Sequence, residues 1–297
     1  MHVLLTGATG HVGGRLLDRL LADGHQVRAL SRRPERLAAR DGVEPFRGDV
    51  NDRASLDGAF AEIDAAYYLV HSLDDSGSFE ETERRAAETF AEAAAAAGVG
   101  RIVYLGGLAH GSDLSPHLRS RLDVGSALRS GRVPVVEFRA SVVLGSGSAS
   151  YELIRSLVEH VPALAAPSWL ETRTQPIALD DVVAYLADAL VLELDGSRVY
   201  EIGGADALTY RELIQQYASL RGLRMPILEL PSLPLPLGRI VDALPEQLAP
   251  ERARVAAKLL EGLRFDSTVA DDGAARDFAV RPRSVRDALE AAIAEAA

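Results

Sequence analysis

His117 and Arg121 stand one helical turn apart in the stretch SPHLRSR (115–121). Residues i and i+4 share a helix face, so the two side chains can address one point in space. An imidazole titrates near neutrality and can pass a proton to a substrate oxygen. A guanidinium can hold an anion or a sugar but cannot release a proton, and beside a histidine it favours the neutral imidazole, which weakens it as an acid. Two more side chains belong with them. Tyr151 follows the loop GSGSAS (145–150) and could supply a phenol, and His71 ends the apolar run AAYYLVHS (65–72). His117, Tyr151 and His71 are therefore the catalytic candidates; the plain alternative for each is a helix cap, a ribose contact or a buried hydrogen bond.

These groups need elements to aim them. HVLLT (2–6), QVRALSR (26–32), VEPFRGDV (43–50), AAYYLVHS, RIVYLGG (101–107) and VPVVEFRASVVLG (133–145) read as six strands. Helical spacing is predicted for 15–24, 78–98 and 117–131 between them. Strands alternating with helices of this length imply a parallel sheet with crossovers. After Gly145 come a strand stub and helix over 172–191, with Asp180 expected as the N-cap, then a strand at 197–204 and a helix at 208–222. The proline-spaced stretch 225–238 reads as an irregular loop that packs over something. The expected fold is thus α/β: a doubly wound parallel Rossmann sheet with a smaller C-terminal substrate lobe. Residues 1–150 would form the dinucleotide-binding core, with strands returning at 172–204, and 151–297 the lobe, in one integrated globule.

TGATGHVGG (6–14) places Gly7, Gly10 and Gly13 as G-x-x-G-x-x-G between the first strand and the first helix. In that context the glycines permit a tight turn and a close approach of backbone to a pyrophosphate, whose charge meets the helix N-terminus. Gly7, Thr9, Gly10, His11, Val12 and Gly13 are the expected phosphate-loop contacts. An NAD site puts an acid at the end of the second strand; here Ser31, Arg32 and Arg33 stand there, with no acid before Glu35. Arginine pairs well with a 2′-phosphate, so NADP(H) is preferred over NAD(H). Asp49 and Val50 would lie near the adenine, or Asp49 is a turn residue. Strand ends line the ligand crevice in such sheets. That adds Val70, His71 and Ser72, then Gly106 and Gly107, then Arg139, Ala140 and Ser141, with Arg121 from the helix.

The chain has 297 residues, 47% of them hydrophobic, and no cysteine. Disulfides, thiolate nucleophiles and Cys-bound zinc are excluded, and the scattered histidines suggest no metal site. A net charge of −11 argues against nucleic acid. No run approaches the roughly 18 apolar residues of a membrane span. With a strand expected from His2, no signal peptide is foreseen, and a cytoplasmic location is the expectation.

The motifs TGATGHVG, GDV, YLVHS, RIVYLGGL, SPHLRSR, RASVVLG, TQPIALDDV and EIGG occur in an order, over about residues 1–205, that resembles the atypical, extended branch of the short-chain dehydrogenase/reductase superfamily. YYLVHS with YLGGL is more narrowly similar to the NmrA-like NAD(P)-binding group, close to the accessory Rossmann subunit of respiratory complex I. The resemblance implies Ser, Tyr and Lys as catalysts: Tyr protonates the substrate oxygen, Lys lowers its pKa and holds ribose, and Ser polarises the carbonyl. This chain departs at all three places, with Gly106 and Gly107 for Ser, His117 for Tyr and Arg121 for Lys. Lys258 is its only lysine, so a Tyr-x-x-x-Lys motif exists nowhere in it. Two functions follow. One is an NADPH-dependent oxidoreductase acting on a carbonyl, enone or quinone-like small molecule of hydrophobic character. The other is a non-catalytic NADP(H) sensor or assembly protein. A homodimer or a regulatory protein partner is the further expectation.

Overall fold

Short apolar runs bounded by glycine or polar turns become parallel strands covered on both faces. The computed structural model describes residues 1–70, 79–111, 114–161, 163–165, 168–228 and 262–296. Seven strands form the central sheet: His2–Thr6 (β1), Gln26–Ser31 (β2), Val43–Arg47 (β3), Ala65–Tyr68 (β4), Arg101–Gly107 (β5), Val135–Ala140 (β6) and Arg198–Ile202 (β7). Their order is β3-β2-β1-β4-β5-β6-β7, and every pairing is parallel. The order reverses between β1 and β4. Connections leave to opposite sides there, which opens a crevice at the strand C-termini.

Helices His11–Ala22 (α1) and Leu179–Asp188 (α5) cover one face, where Leu16, Leu20, Val182 and Leu186 pack on Val3, Leu5, Val103 and Phe138. The Tyr67 phenol donates to the Leu186 carbonyl at 2.8 Å and pins α5 to the sheet. Phe79–Ala96 (α2) and Pro116–Arg129 (α3) cover the other face, with Phe90, Ala94, Val124 and Leu128 on Leu4, Ala66 and Ile102. α2 has Glu80 and Glu81 in its first turn and ends before Gly98 at φ +76°. Both fit the helix dipole and a left-handed C-terminal stop. Ser115 caps α3 by accepting from the Leu118 N–H, and Pro116 opens its first turn.

A second core belongs to the lobe. Ala149–His160 (α4), Tyr210–Leu220 (α6) and Val285–Ala296 (α8) gather Leu157, Trp169, Leu213 and Leu289. The short helix Gly273–Asp277 (α7) lies against the sheet side instead, through Ala274 and Phe278. Residues 179–202 return to the sheet as α5 and β7, as the strand–helix pattern predicts.

Two expectations change. The single strand over 133–145 breaks at Ala140; Val143–Leu144 pairs separately with Ile177–Ala178. The N-cap of α5 is Ala178, without a side-chain cap, and Asp180 lies inside the first turn. Most of the proline-spaced stretch lies outside the described residues. Among the described residues no helix is long and apolar enough to cross a membrane.

Candidate functional site

The turn after β1 is built so tightly that only glycine fits at two points. Gly7 has φ +73°, and a Cβ there would sit 2.5 Å from the Leu69 carbonyl oxygen. A Cβ on Gly13 would sit 2.1 Å from the Gly7 carbonyl oxygen. Thr6 locks the neighbouring edge: its Oγ1 donates to the Tyr67 carbonyl at 2.9 Å and accepts from the Leu69 N–H at 2.8 Å. α1 then starts at Gly10, with no side-chain cap and no acid in its first turn. The free N–H groups and the positive end of the helix dipole are left for an anion.

Gly7, Thr9 and Gly10 open onto a cleft of about 670 Å³ that runs across the ends of β1, β2 and β4. Ser31, Arg32, Arg33, Asp49, Val50 and Val70 line it too. The sequence reading missed one cation here: Arg36, on the short 3-10 helix Pro34–Arg36, also lines the cleft. Among the described residues none of Arg32, Arg33 and Arg36 is held in an ion pair, whereas Glu35 is engaged by Arg47 at 3.0 Å. The first acid after β2 is therefore occupied, and three guanidinium groups remain for phosphate. Asp49 serves partly as the turn residue foreseen, accepting from the Asn51 backbone N–H at 2.9 Å. The cradle, the uncapped helix start and the arginines suit the phosphates of a nicotinamide dinucleotide.

The nicotinamide end of such a cofactor would reach the C-termini of β5 and β6. There a second cavity, of about 340 Å³, opens between the sheet and the lobe. His11, Val12, Gly107, His117, Arg121, Ala140 and Ser141 form its Rossmann wall. The structure thus brings His117 and Arg121 onto one cavity, as their spacing predicts. Tyr104 fixes the α3 turn that carries them, donating its phenol to the Arg121 carbonyl at 2.9 Å. Burial pushes the Tyr104 pKa well up, so it stays a neutral donor. Ser141 is wired into the wall, with Oγ donating to the Gln175 carbonyl at 3.0 Å and lying 3.2 Å from Thr174 Oγ1. Burial, then Arg15, holds the His11 imidazole below its ordinary 6.5.

Three expected contacts lie elsewhere. Tyr151 is 1% exposed, in the lobe core with its ring edge-on to Tyr217, and it lines neither cavity. α4 points Leu153, Ile154 and Leu157 at the cavity and turns the phenol away. Arg139 faces the α3 side of the sheet, where its Nε donates to the fully buried Glu137 at 2.7 Å. Glu137 also pairs with Arg129. Gly106 faces the Tyr104 ring and Glu137, so only Gly107 of the two glycines reaches the cavity. His71 and Ser72 lie outside the described residues.

The sequence reading also missed the lobe wall. Trp169, from the 3-10 helix Ser168–Glu171, and Tyr210 line the cavity with Ile214 and Leu263. Trp169 and Tyr210 lie between and just after the later motifs but belong to none of them and carry no spacing signal; that Trp169 is the chain's one tryptophan was the available hint.

A family model described as NAD(P)H-binding matches residues 7–130. A Streptomyces griseus protein, the (4-alkanoyl-5-oxo-2,5-dihydrofuran-3-yl)methyl phosphate reductase, is 32% identical over 229 residues, which are 74% of each chain. Two solved structures share the fold. Triphenylmethane reductase from Citrobacter sp., complexed with NADP(H), superposes with a TM-score of 0.76 at 20% identity, covering 98% of this chain and 100% of that one. A nucleoside-diphosphate-sugar epimerase from Staphylococcus aureus gives 0.76 at 18% identity, with the same coverage.

Proposed function

The chain belongs to the atypical short-chain dehydrogenase/reductase superfamily, in its NmrA-like NAD(P)H-binding group, and we propose that it acts there as an NADPH-dependent reductase of a conjugated carbonyl or quinone-like substrate. One observation carries this reading: an apolar cavity open at the ends of β5 and β6, beside the glycine cradle and against the His117–Arg121 face. A protein that only sensed cofactor would have no need of a second, apolar chamber there.

When bound, the reduced nicotinamide supplies the hydride. The chain's own residues then have separate tasks. Arg121 offers guanidinium N–H groups to a ribose hydroxyl or to the oxygen on which charge develops, and it cannot be the acid. His117, one turn earlier on the same face as Arg121, is the wall imidazole placed to deliver a proton, with His11 the other imidazole on that wall. Leu105, Leu108, Leu118 and Leu153 keep water from the reacting carbon. The Streptomyces griseus relative is named for a (4-alkanoyl-5-oxo-2,5-dihydrofuran-3-yl)methyl phosphate, a phosphate ester in which a carbonyl is conjugated with a ring double bond. An alkyl-bearing ring of that kind suits the lining here. Arg32, Arg33 and Arg36 support the preference for the 2′-phosphate.

The test is NADPH oxidation followed by absorbance over a panel of enones, unsaturated lactones and quinones, with NADPH and NADH titrated separately. Turnover by wild type is expected, lost in His117→Ala while NADPH affinity is kept. Tight NADPH binding with no turnover on the whole panel would favour the sensor. Equal affinity for the two cofactors would remove the role given to the arginines.

A further inference from the structure

Buried side-chain donors and acceptors in folded proteins nearly always find partners, and the exceptions point to a missing group. Five such atoms lack a hydrogen-bond partner among the described residues: His11 Nε2, Arg121 Nη1, Trp169 Nε1, Arg129 Nη1 and Glu137 Oε2. The last two face each other as an ion pair. The remaining three belong to residues that line the cavity between the sheet and the lobe. Two of them, His11 and Arg121, sit on the cofactor side, at the start of α1 and on α3. The third, on Trp169, is alone on the lobe wall.

Trp169 is 2% exposed, and its ring meets Tyr210 edge-on at 6.2 Å between centroids. An indole N–H can only donate. The Tyr210 hydroxyl does not serve it, being engaged by Thr174 and Ser267. Leu153, Ile154, Leu157 and Ile214 make the surrounding wall apolar. An oxygen carried in on an apolar ligand would complement the unpartnered N–H.

We propose that Trp169 is a specificity-determining residue, whose indole N–H donates to a second acceptor oxygen on the substrate, remote from the carbon that is reduced. The substrate class is then an apolar molecule with acceptor oxygens at both ends. One end is the conjugated carbonyl at the His117–Arg121 wall; the other is a carbonyl, ether or hydroxyl oxygen at the lobe wall. The assignment of which end is reduced rests on the reductase reading above.

The test uses two 4-phenylbut-3-en-2-ones of nearly equal shape, one with a para-acetyl group and one with a para-isopropyl group. Because Trp169 is the only tryptophan, ¹⁵N-indole labelling gives a single Nε1–H resonance. In the full chain saturated with NADP⁺, the acetyl compound is expected to shift that resonance downfield and the isopropyl compound to leave it in place. With NADPH, the acetyl compound should show a KM roughly tenfold lower in wild type, the usual scale for a hydrogen bond to a buried group. Trp169→Phe, which keeps an aromatic ring at the wall but removes the N–H, should erase that difference between the two compounds. An indole resonance that both compounds move alike, or that neither moves, overturns the assignment. A selective indole shift with no NADPH oxidation counts against the reductase reading instead and leaves the Trp169 contact standing.

Discussion

Arg121 packs over Gly107 so closely that a Cβ on the glycine would stand 3.3 Å from the arginine's Cδ. Leu118 Cδ2 is equally near, at 3.3 Å. The last residue of β5 is thus small because a long cation from α3 lies across it. Restoring a serine there should not restore the usual chemistry of the superfamily. Gly107→Ser is expected to push Arg121 aside and lower kcat/KM about tenfold, with about 1–2 kcal/mol lost in stability from overpacking. Steady-state kinetics and a urea midpoint check it; a faster enzyme would show that Arg121 has room to move.

The glycine cradle makes a sharper demand. In Gly13→Ala the new methyl would overlap the Gly7 carbonyl oxygen, 2.1 Å away, and backbone on both sides must shift. A loss of about 3 kcal/mol or more is expected, with cofactor binding abolished in whatever still folds. Thermal unfolding with and without NADPH measures both. Gly10→Ala, whose only close contact is the Gly7 carbonyl at 3.1 Å, should fold and bind more weakly.

Cofactor choice should follow the arginines at the end of β2. Charge-assisted hydrogen bonds to a phosphate contribute roughly 1.5–3 kcal/mol. The double change Arg32→Ala and Arg33→Ala is therefore expected to weaken NADPH about 10- to 100-fold and to leave NADH nearly unchanged. Titration by fluorescence decides it. An equal loss for both cofactors would place these arginines at the pyrophosphate instead.

His11 sets a pH dependence. Burial first, and Arg15 second, depress its pKa below the ordinary 6.5. The unfolded chain then binds a proton before the folded one does. This contribution to stability is complete above pH 6.5 and is lost as the pH falls through the depressed value. Urea midpoints measured from pH 7.5 to 5 should decline more steeply for wild type than for His11→Gln. Parallel declines would mean that the imidazole charges without resistance.

Much of this was legible because the signals were local. G-x-x-G-x-x-G after an apolar strand gave the turn, the helix and the cradle together, since steric limits on glycine act within a few residues. His117 and Arg121 shared a face because i and i+4 always do. Arg139 could have been placed from the strand period: Val136 and Phe138 face one layer, so Glu137 and Arg139 had to face the other. Tyr151 could not be placed that way. α4 carries apolar groups on both the core side and the cavity side, and periodicity does not say which is which. Trp169 and Tyr210 were out of reach for a different reason. They join the cavity only because the lobe folds back on the sheet, a long-range contact that no short spacing encodes.

The cavity has two walls of different origin. One is made by the start of α1, β5, β6 and α3, with Gly107 crowded by Arg121 and Leu118 and the turn before α1 fixed by backbone crowding around Gly7 and Gly13. The other is made by side chains of α4, α6 and a short 3-10 helix, with a core of their own. The two walls can therefore diversify at different rates. Exchanging Leu157 or Ile214 for a smaller or larger residue reshapes the lobe wall away from the cradle, so one dinucleotide-binding frame can be retuned to new ligands by drift in the lobe alone.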